Sequence, residues 1–224
     1  MKIRVFLFNL LLIAVHPLRW LKGKNLVFLS AFNGERYNSL KMDRTIVKKS
    51  NLSFNGKNNS IVIHNSDLFG STIYIRGEQH NLVIEDGVRL YNMYIKIIGS
   101  GNTVHIGKST SFGGGSLVSG GNHITINVGD NCMIAEGVDI WASDTHSVLQ
   151  EGVLVNEPES ITIGDHVWLG KDVAVLKGVT IGDNAVIGMR SLVTKGIRPG
   201  TLNVGSPAKE IREGIEWTRE NPNN

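Results

Sequence analysis

The 224-residue chain contains one cysteine, five prolines and few aromatic residues, which make up 7% of it. The single thiol, Cys132, excludes an internal disulfide and favours a reducing compartment. The chain has no GxGxxG segment that opens a helix and no GxxxxGK[ST] segment, so two common nucleotide-binding signatures are missing. Its 26 glycines are typical of a turn-rich β protein. We therefore expect a cytoplasmic protein made of strands and turns.

Charge and hydrophobicity divide the chain unevenly. Residues 1–50 carry ten Lys/Arg and two acids, a net charge of +8, whereas residues 51–224 carry thirteen and eighteen, a net of −5. The apolar run at residues 5–15 is too short to cross a bilayer, which needs about 20 residues. Three interpretations of residues 1–24 stay open: a helix on the inner face of the membrane, a helix that caps the core or an oligomer, and a signal peptide.

A six-residue period dominates the C-terminal half of the chain. Two aliphatic rows follow it, with Ser191 as their one polar member: Ile163, Leu169, Val175, Ile181, Ile187 and Val193 in the first row, and Ile161, Val167, Val173, Val179, Ala185 and Ser191 in the second. No α-helix has this period, and short repeats of this kind are typical of a parallel β-helix. The rows predict inward-facing ladders that bury a continuous core.

A longer repeat of eighteen residues contains three of these hexads. When residues 163–180 are aligned with residues 181–198, seven of the eighteen positions are identical. Three hexads therefore form one turn of a triangular prism, in which equivalent residues stack about 4.8 Å apart. This register predicts that Lys177 and Lys195 lie on adjacent coils, either as a solvated face or as a binding site for a polyanion.

The middle of the chain, at about residues 51–140, repeats more loosely. We interpret it as wider coils of the same solenoid, with a ladder of asparagine side chains at one corner. The residues predicted for this ladder are Asn59, Asn81, Asn102 and Asn122. The predicted organisation is an N-terminal extension at residues 1–50, a parallel β-helix at residues 51–205, and a tail with a short helix at residues 206–224.

Two features of the sequence are candidates for function. The segment from Trp141 to Ser147 interrupts the coil, and its His146 can serve as a general base near neutral pH. Asp144 or Glu157 are candidates to orient the imidazole ring. Trp168 breaks the aliphatic pattern, which indicates either a subunit contact or a platform for a ligand.

Residues 161–170, 178–183 and 204–209 resemble the hexapeptide-repeat acyltransferases, especially the sugar O-acetyltransferases of the maltose and galactoside type and of capsule or O-antigen synthesis. The resemblance covers about residues 130–212. It implies a left-handed parallel β-helix, a homotrimer with active sites between neighbouring prisms, acetyl-CoA as co-substrate and a carbohydrate acceptor. It also implies that His146 is the catalytic histidine in its Asp144-x-His146 setting, and that Trp168 lines the active site.

The same resemblance assigns the contacts to acetyl-CoA. They fall on Lys171, Met189, Thr194, Lys195, Lys209 and Arg212. Met189 and Arg190 depart from the common pattern of the family and are expected to reshape the cofactor groove.

These observations predict an acetyl-CoA-dependent O-acetyltransferase that acts on a cell-surface polysaccharide or its precursor. The alternatives are N-acetylation of an amino sugar and a non-catalytic glycan-binding solenoid. A zinc hydratase of the γ-carbonic anhydrase type needs three converging histidines, but His105, His123 and His146 are scattered. We expect neither a metal nor a nucleic-acid partner.

Overall fold

The computed structural model describes residues 26–28, 30–33 and 37–220. These residues form 27 strands and no helix. The strands are β1 (Leu26–Phe28), β2 (Ala31–Asn33), β3 (Ser39–Asp43), β4 (Ile46–Lys48), β5 (Asn51–Lys57), β6 (Ser60–His64), β7 (Asp67–Phe69), β8 (Thr72–Glu78), β9 (Asn81–Ile84), β10 (Arg89–Tyr91), β11 (Met93–Ser100), β12 (Thr103–Ile106), β13 (Ser111–Phe112), β14 (Gly115–Asn122), β15 (Thr125–Val128), β16 (Met133–Ile134), β17 (Val138–Trp141), β18 (Leu149–Gln150), β19 (Val153–Leu154), β20 (Ile161–Ile163), β21 (Trp168–Leu169), β22 (Ala174–Leu176), β23 (Thr180–Ile181), β24 (Val186–Ile187), β25 (Leu192–Val193), β26 (Thr201–Val204) and β27 (Lys209–Glu213).

The strands build a three-sided parallel solenoid. The first face has the order β1-β4-β7-β10-β13-β16-β21-β24-β26-β27, the second face β2-β5-β8-β11-β14-β17-β22-β25, and the third face β23-β20-β15-β12-β9-β6-β3. Neighbouring strands are parallel, except for the pair β26–β27 and the separate hairpin β18–β19. The predicted all-β parallel coil is therefore confirmed.

The length of one coil changes along the chain, as the sequence predicts. On the second face Ile95 pairs with Leu117, one wide coil later. Val175 pairs with Val193, which completes a coil of eighteen residues. Between these regions Ile140 pairs with Val175, so one coil of 35 residues contains an inserted loop. The ladder continues across this insertion without a shift of register.

The two hexad rows form the predicted core. All twelve side chains are buried, including that of Ser191. Burial of an aliphatic side chain contributes about 1.5–3 kcal/mol before the entropy cost of ordering the chain. The core therefore holds the surface residues of each coil in a fixed register.

A polar ladder fills one corner of the wide coils, with a membership that differs from the prediction. Its members are Asn38, Asn59, His80 and Asn102, and each accepts a hydrogen bond from a backbone N–H one coil further along. Asn59 and Asn102 are predicted correctly. Asn81 and Asn122 are not, because the buried corner position falls on His80 and on Ile124.

The predicted C-terminal helix is wrong. Residues 209–213 form β27, which pairs antiparallel with β26 on the first face. These residues form a strand because β26 lies at the end of the solenoid. Its outer backbone N–H and C=O groups would be unpaired without a further strand. Beyond β27, Trp217 and Arg219 fold back onto earlier coils and contact His166 and Cys132.

The solenoid includes part of the segment assigned to the N-terminal extension. The strands β1 to β4 pair in parallel with β4, β5, β6 and β7. The apolar segment at residues 1–24, with its three interpretations, lies outside the described residues. Within the described part of the chain, no helix has the length and hydrophobicity that a membrane span needs.

Candidate functional site

The inserted loop leaves the solenoid after β17 and returns at β20. The stem of the loop, at residues 142–143 and 158–159, lies against Gly120 and Gly121 of β14. A Cβ atom at Gly120 would lie 2.9 Å from the Ser143 Cβ and Oγ atoms, and one at Gly121 would lie 2.7 Å from Cγ of Pro158. Because any side chain at these two positions would displace the stem, the glycine pair lets the loop approach the strand closely.

Backbone hydrogen bonds close the loop. The Glu159 N–H donates to the Ala142 carbonyl over 3.0 Å, which ties the two ends of the stem together. At the tip, β18 and β19 form a hairpin whose two turn residues, Glu151 and Gly152, both have positive φ. Two positive φ values are typical of the tight I′ turn that matches strand twist. The loop therefore contains a regular β-hairpin at its tip.

His146 lines a polar cleft at the base of this loop. The cleft has a volume of about 370 Å³. Its lining residues are Gly121, Asn122, Ile124, Ser143, Thr145, His146, Ser147, Leu154, Asn156, Glu157 and Pro158. Thr145, beside the histidine, has a φ of 61°, a conformation that is uncommon for residues other than glycine. The structure thus places the candidate base in the cleft together with hydroxyl and amide groups.

The carboxylate of Asp144 contacts two other side chains. Its Oδ2 atom accepts hydrogen bonds from Lys177 Nζ at 2.6 Å and from Asn156 Nδ2 at 2.9 Å. These bonds from Lys177 and Asn156 lower the pKa of the Asp144 carboxyl. Glu157, the other candidate to orient the histidine ring, lines the cleft beside His146.

Trp168 lies on a different face from the loop of His146. It is the first residue of β21 on the first face, and 38% of it is exposed. Its ring lies 6.1 Å from that of Trp217, with a tilt of 46°. Trp217 could not be predicted from the sequence, because this contact depends on how the C-terminal segment folds back.

The residues predicted to contact acetyl-CoA occupy three places. Lys171 and Met189 lie on adjacent coils just after β21 and β24, and Lys171 Nζ lies 3.0 Å from Glu136 Oε2. Thr194 and Lys195 are exposed directly after β25. Lys209 and Arg212 are exposed on β27, at the edge of the first face. The Ala208 N–H donates to the Leu192 carbonyl at 2.8 Å, so β27 begins beside the coil that carries Thr194 and Lys195.

The lysines of the second face are stacked as the repeat predicts. Lys177 and Lys195 follow β22 and β25, which are neighbours in one sheet. The side chain of Lys177 is only 18% exposed, and its Nζ atom lies 2.6 Å from Asp144 Oδ2. Of the two stacked lysines, Lys177 therefore pairs with a carboxylate of the same chain, and Lys195 is the exposed one.

The three scattered histidines do not converge. His105 lies on β12 and contacts Asn127 and Glu85, whereas His146 is in the inserted loop. Within the described ranges, no group of three or more His, Cys, Asp or Glu side chains is placed to hold a metal ion.

Comparisons with known proteins agree with the repeat pattern. A sequence profile described as "Bacterial transferase hexapeptide (six repeats)" matches residues 160–195. The "Polysialic acid O-acetyltransferase" of Neisseria meningitidis is 37% identical over 180 residues, which are 79% of this chain and 83% of that protein. The chain belongs to the hexapeptide-repeat acetyltransferases. The "Galactoside O-acetyltransferase" of Escherichia coli K12 is 38% identical over 116 residues, which are 50% of this chain and 55% of that protein.

Two solved acetyltransferase structures have the same fold. The "polySia specific acetyltransferase NeuO" matches 90% of both chains with a TM-score of 0.70 and 28% identity. The "polysialic acid O-acetyltransferase OatWY" matches 85% of this chain and 92% of that one, with a TM-score of 0.68 and 28% identity. The left-handed parallel β-helix that the resemblance implied is therefore the fold of this acetyltransferase.

Proposed function

We propose that this enzyme transfers an acetyl group from acetyl-CoA to a sugar hydroxyl of a cell-surface polysaccharide or its precursor, with His146 as general base. The observation that carries the proposal is the position of His146 on a polar cleft of about 370 Å³. The polysialic acid O-acetyltransferase of Neisseria meningitidis, at 37% identity, supports a polysaccharide acceptor. We also propose that the reaction takes place in the cytoplasm, which the single thiol of the sequence favours.

The cleft suits an acceptor with several hydroxyl groups. Asn122, Ser143 and Thr145 lie on the same lining as His146 and provide amide and hydroxyl groups for hydrogen bonds. A neutral imidazole can accept the proton of a sugar hydroxyl as its oxygen attacks the thioester carbonyl. No covalent enzyme intermediate is needed. The one cysteine, Cys132, is buried, and burial raises the pKa of its thiol to about 11, which makes it a poor nucleophile.

The exposed cations suit a phosphate-bearing co-substrate. Lys195, Lys209 and Arg212 are exposed, and Lys171 is exposed beside Glu136. Charged nitrogen donors of this kind bind phosphate oxygens well. Acetyl-CoA supplies the activated acyl group when it is bound, and these side chains hold its anionic part.

We also propose that the enzyme works as a homotrimer. In one chain His146 lies in the loop between the second and third faces, whereas Trp168 lies on the first face. A site formed between two copies brings residues from different faces of the prism together. Neighbouring copies of the chain are therefore the proposed partners, with the carbohydrate acceptor bound between them.

The proposal is tested by incubating the purified protein with acetyl-CoA and either oligosialic acid or a neutral oligosaccharide. The released CoA thiol is measured, and mass spectrometry of the glycan detects the increase in mass from an added acetyl group. The variant His146→Asn should lower kcat by roughly 10²–10⁴. His64→Asn, on β6 of the third face, is the matched control and should keep full activity. Transfer at the wild-type rate by the His146 variant would remove this residue from the mechanism.

A further inference from the structure

The loop that carries His146 has little hydrophobic packing beyond its stem. Four apolar side chains of its hairpin region are exposed: Val148, Leu149, Val153 and Val155. A segment without buried apolar groups is held by its polar contacts. The polar contacts that fix the backbone around His146 are therefore of functional interest.

Asn156 makes three hydrogen bonds to this part of the loop. Its Nδ2 atom donates to the His146 carbonyl at 2.8 Å and to Asp144 Oδ2 at 2.9 Å. Its Oδ1 atom accepts from the Val148 N–H at 2.7 Å. Both amide hydrogens and the amide oxygen are thus used. The bonds reach residues 144, 146 and 148, which are the histidine and the second residue on either side of it.

Asp144 connects this arrangement to the solenoid. Its Oδ2 atom also accepts the 2.6 Å hydrogen bond from Lys177, which directly follows β22. Lys177 belongs to a regular eighteen-residue coil, in which Val175 pairs with Val193. The contacts therefore run from a rigid coil through Lys177, Asp144 and Asn156 to the backbone of His146.

We infer that Asn156 is a positioning residue for the general base and holds the backbone of His146 against the solenoid through Asp144 and Lys177. The inference rests on the proposed role of His146. It gives Asp144 a different function from orienting the imidazole ring, for which the sequence made it a candidate, because its carboxylate contacts Asn156 and Lys177. A misplacement of about 1 Å in a catalytic group can cost as much as 10²-fold in rate.

The test compares Asn156→Ala with Gln150→Ala, a change to an exposed residue at the tip of the same loop. Two measurements are made on the full-length protein: hydrogen exchange of the Val148 amide, and steady-state kinetics with acetyl-CoA and oligosialic acid. In Asn156→Ala we expect the Val148 amide to lose protection and kcat to fall about 10- to 100-fold. We expect an unchanged KM for acetyl-CoA and an unchanged pH profile, because the base itself is the same. Gln150→Ala should match the wild type.

A double-mutant cycle tests the link to the solenoid. If Asp144 and Asn156 act through one set of contacts, Asp144→Ala combined with Asn156→Ala should reduce kcat no further than the larger single effect. If the fold-reductions of kcat in the two single variants multiply in the double variant, the two residues act separately, which contradicts the inference.

The outcomes separate this inference from the proposed function. An unchanged Val148 exchange rate in Asn156→Ala overturns the positioning role whatever the kinetics show. Lost protection with an unchanged kcat also overturns it, provided that His146→Asn is inactive. An active His146→Asn variant overturns the proposed function instead, and the exchange of Val148 then reports only whether Asn156 orders the loop.

Discussion

The ring of Trp217 lies parallel to that of His166, with ring centroids 4.0 Å apart and an angle of 6° between the planes. Two hydrogen bonds join the same residues, because the indole Nε1 donates to the His166 carbonyl and His166 Nε2 bonds to the Trp217 carbonyl. Two residues further along, the Arg219 guanidinium donates to the Cys132 carbonyl at 2.7 Å. The C-terminal segment is thereby fastened to coils that lie far from it in sequence.

Removal of the indole should detach this segment locally. In Trp217→Ala, the loss of stacking and of partly buried area is expected to weaken docking by roughly 1–3 kcal/mol. We expect faster tryptic cleavage after Arg219, with little change in the unfolding of the solenoid core. Limited proteolysis followed by mass spectrometry measures this, with Glu216→Ala as the control on the same segment. Equal cleavage rates in both variants would show that Trp217 does not hold the tail.

The buried His80 of the corner ladder should make stability depend on pH. Burial lowers its pKa from the ordinary value of 6.5, and its Nδ1 atom accepts the Asn102 N–H at 3.2 Å. Below about pH 6.5 the unfolded chain therefore binds a proton that the folded chain does not, so acidification lowers the free energy of unfolding.

The neighbouring coils suggest the variant that checks this effect. Asparagine occupies the same corner position at Asn59 and Asn102, so His80→Asn should keep the ladder and remove the titration. We expect the fall in Tm between about pH 7.5 and pH 5.5 to be smaller in the variant than in the wild type. Calorimetry at several pH values measures the difference, and parallel pH curves would contradict the prediction.

A third prediction concerns Ser119, whose buried Oγ atom has no hydrogen-bond partner among the described residues. Burial of an unpaired hydroxyl costs about 1–3 kcal/mol, so Ser119→Ala should leave stability unchanged or raise it by roughly 1 kcal/mol. Ser71 is the matched control, because its buried Oγ atom accepts from the Met93 N–H at 3.2 Å. Ser71→Ala should destabilise by about 1 kcal/mol. Chemical denaturation compares the two variants, and a loss of stability in Ser119→Ala would contradict the prediction.

The periodic part of the molecule could be predicted from the sequence. Inward-facing residues such as Ile163 and Ile181 recur at fixed intervals because each coil repeats the same packing. The stacking of Lys177 over Lys195 follows from the same interval. Where the coils widen, the interval varies. The sequence therefore predicts Asn81 for a ladder position that its neighbour His80 occupies.

Contacts that depend on returning segments could not be predicted. Lys177 meets Asp144 across 33 residues only because the inserted loop folds back onto the next coil. The loop has no period that would reveal Asn156. At the C-terminus, the unpaired edge of β26 recruits residues 209–213 as a strand, which overrides their local helical tendency. Periodicity thus predicts the scaffold, whereas the site depends on segments that break it.

The uninterrupted pairing of Ile140 with Val175 has a consequence for how this enzyme can change. Because the ladder keeps its register across residues 142–160, a change of length at the tip of this segment need not shift the coils on either side of it. Grafting such a segment from a relative between Trp141 and Ile161 is then expected to alter the choice of acceptor while the remaining architecture stays intact.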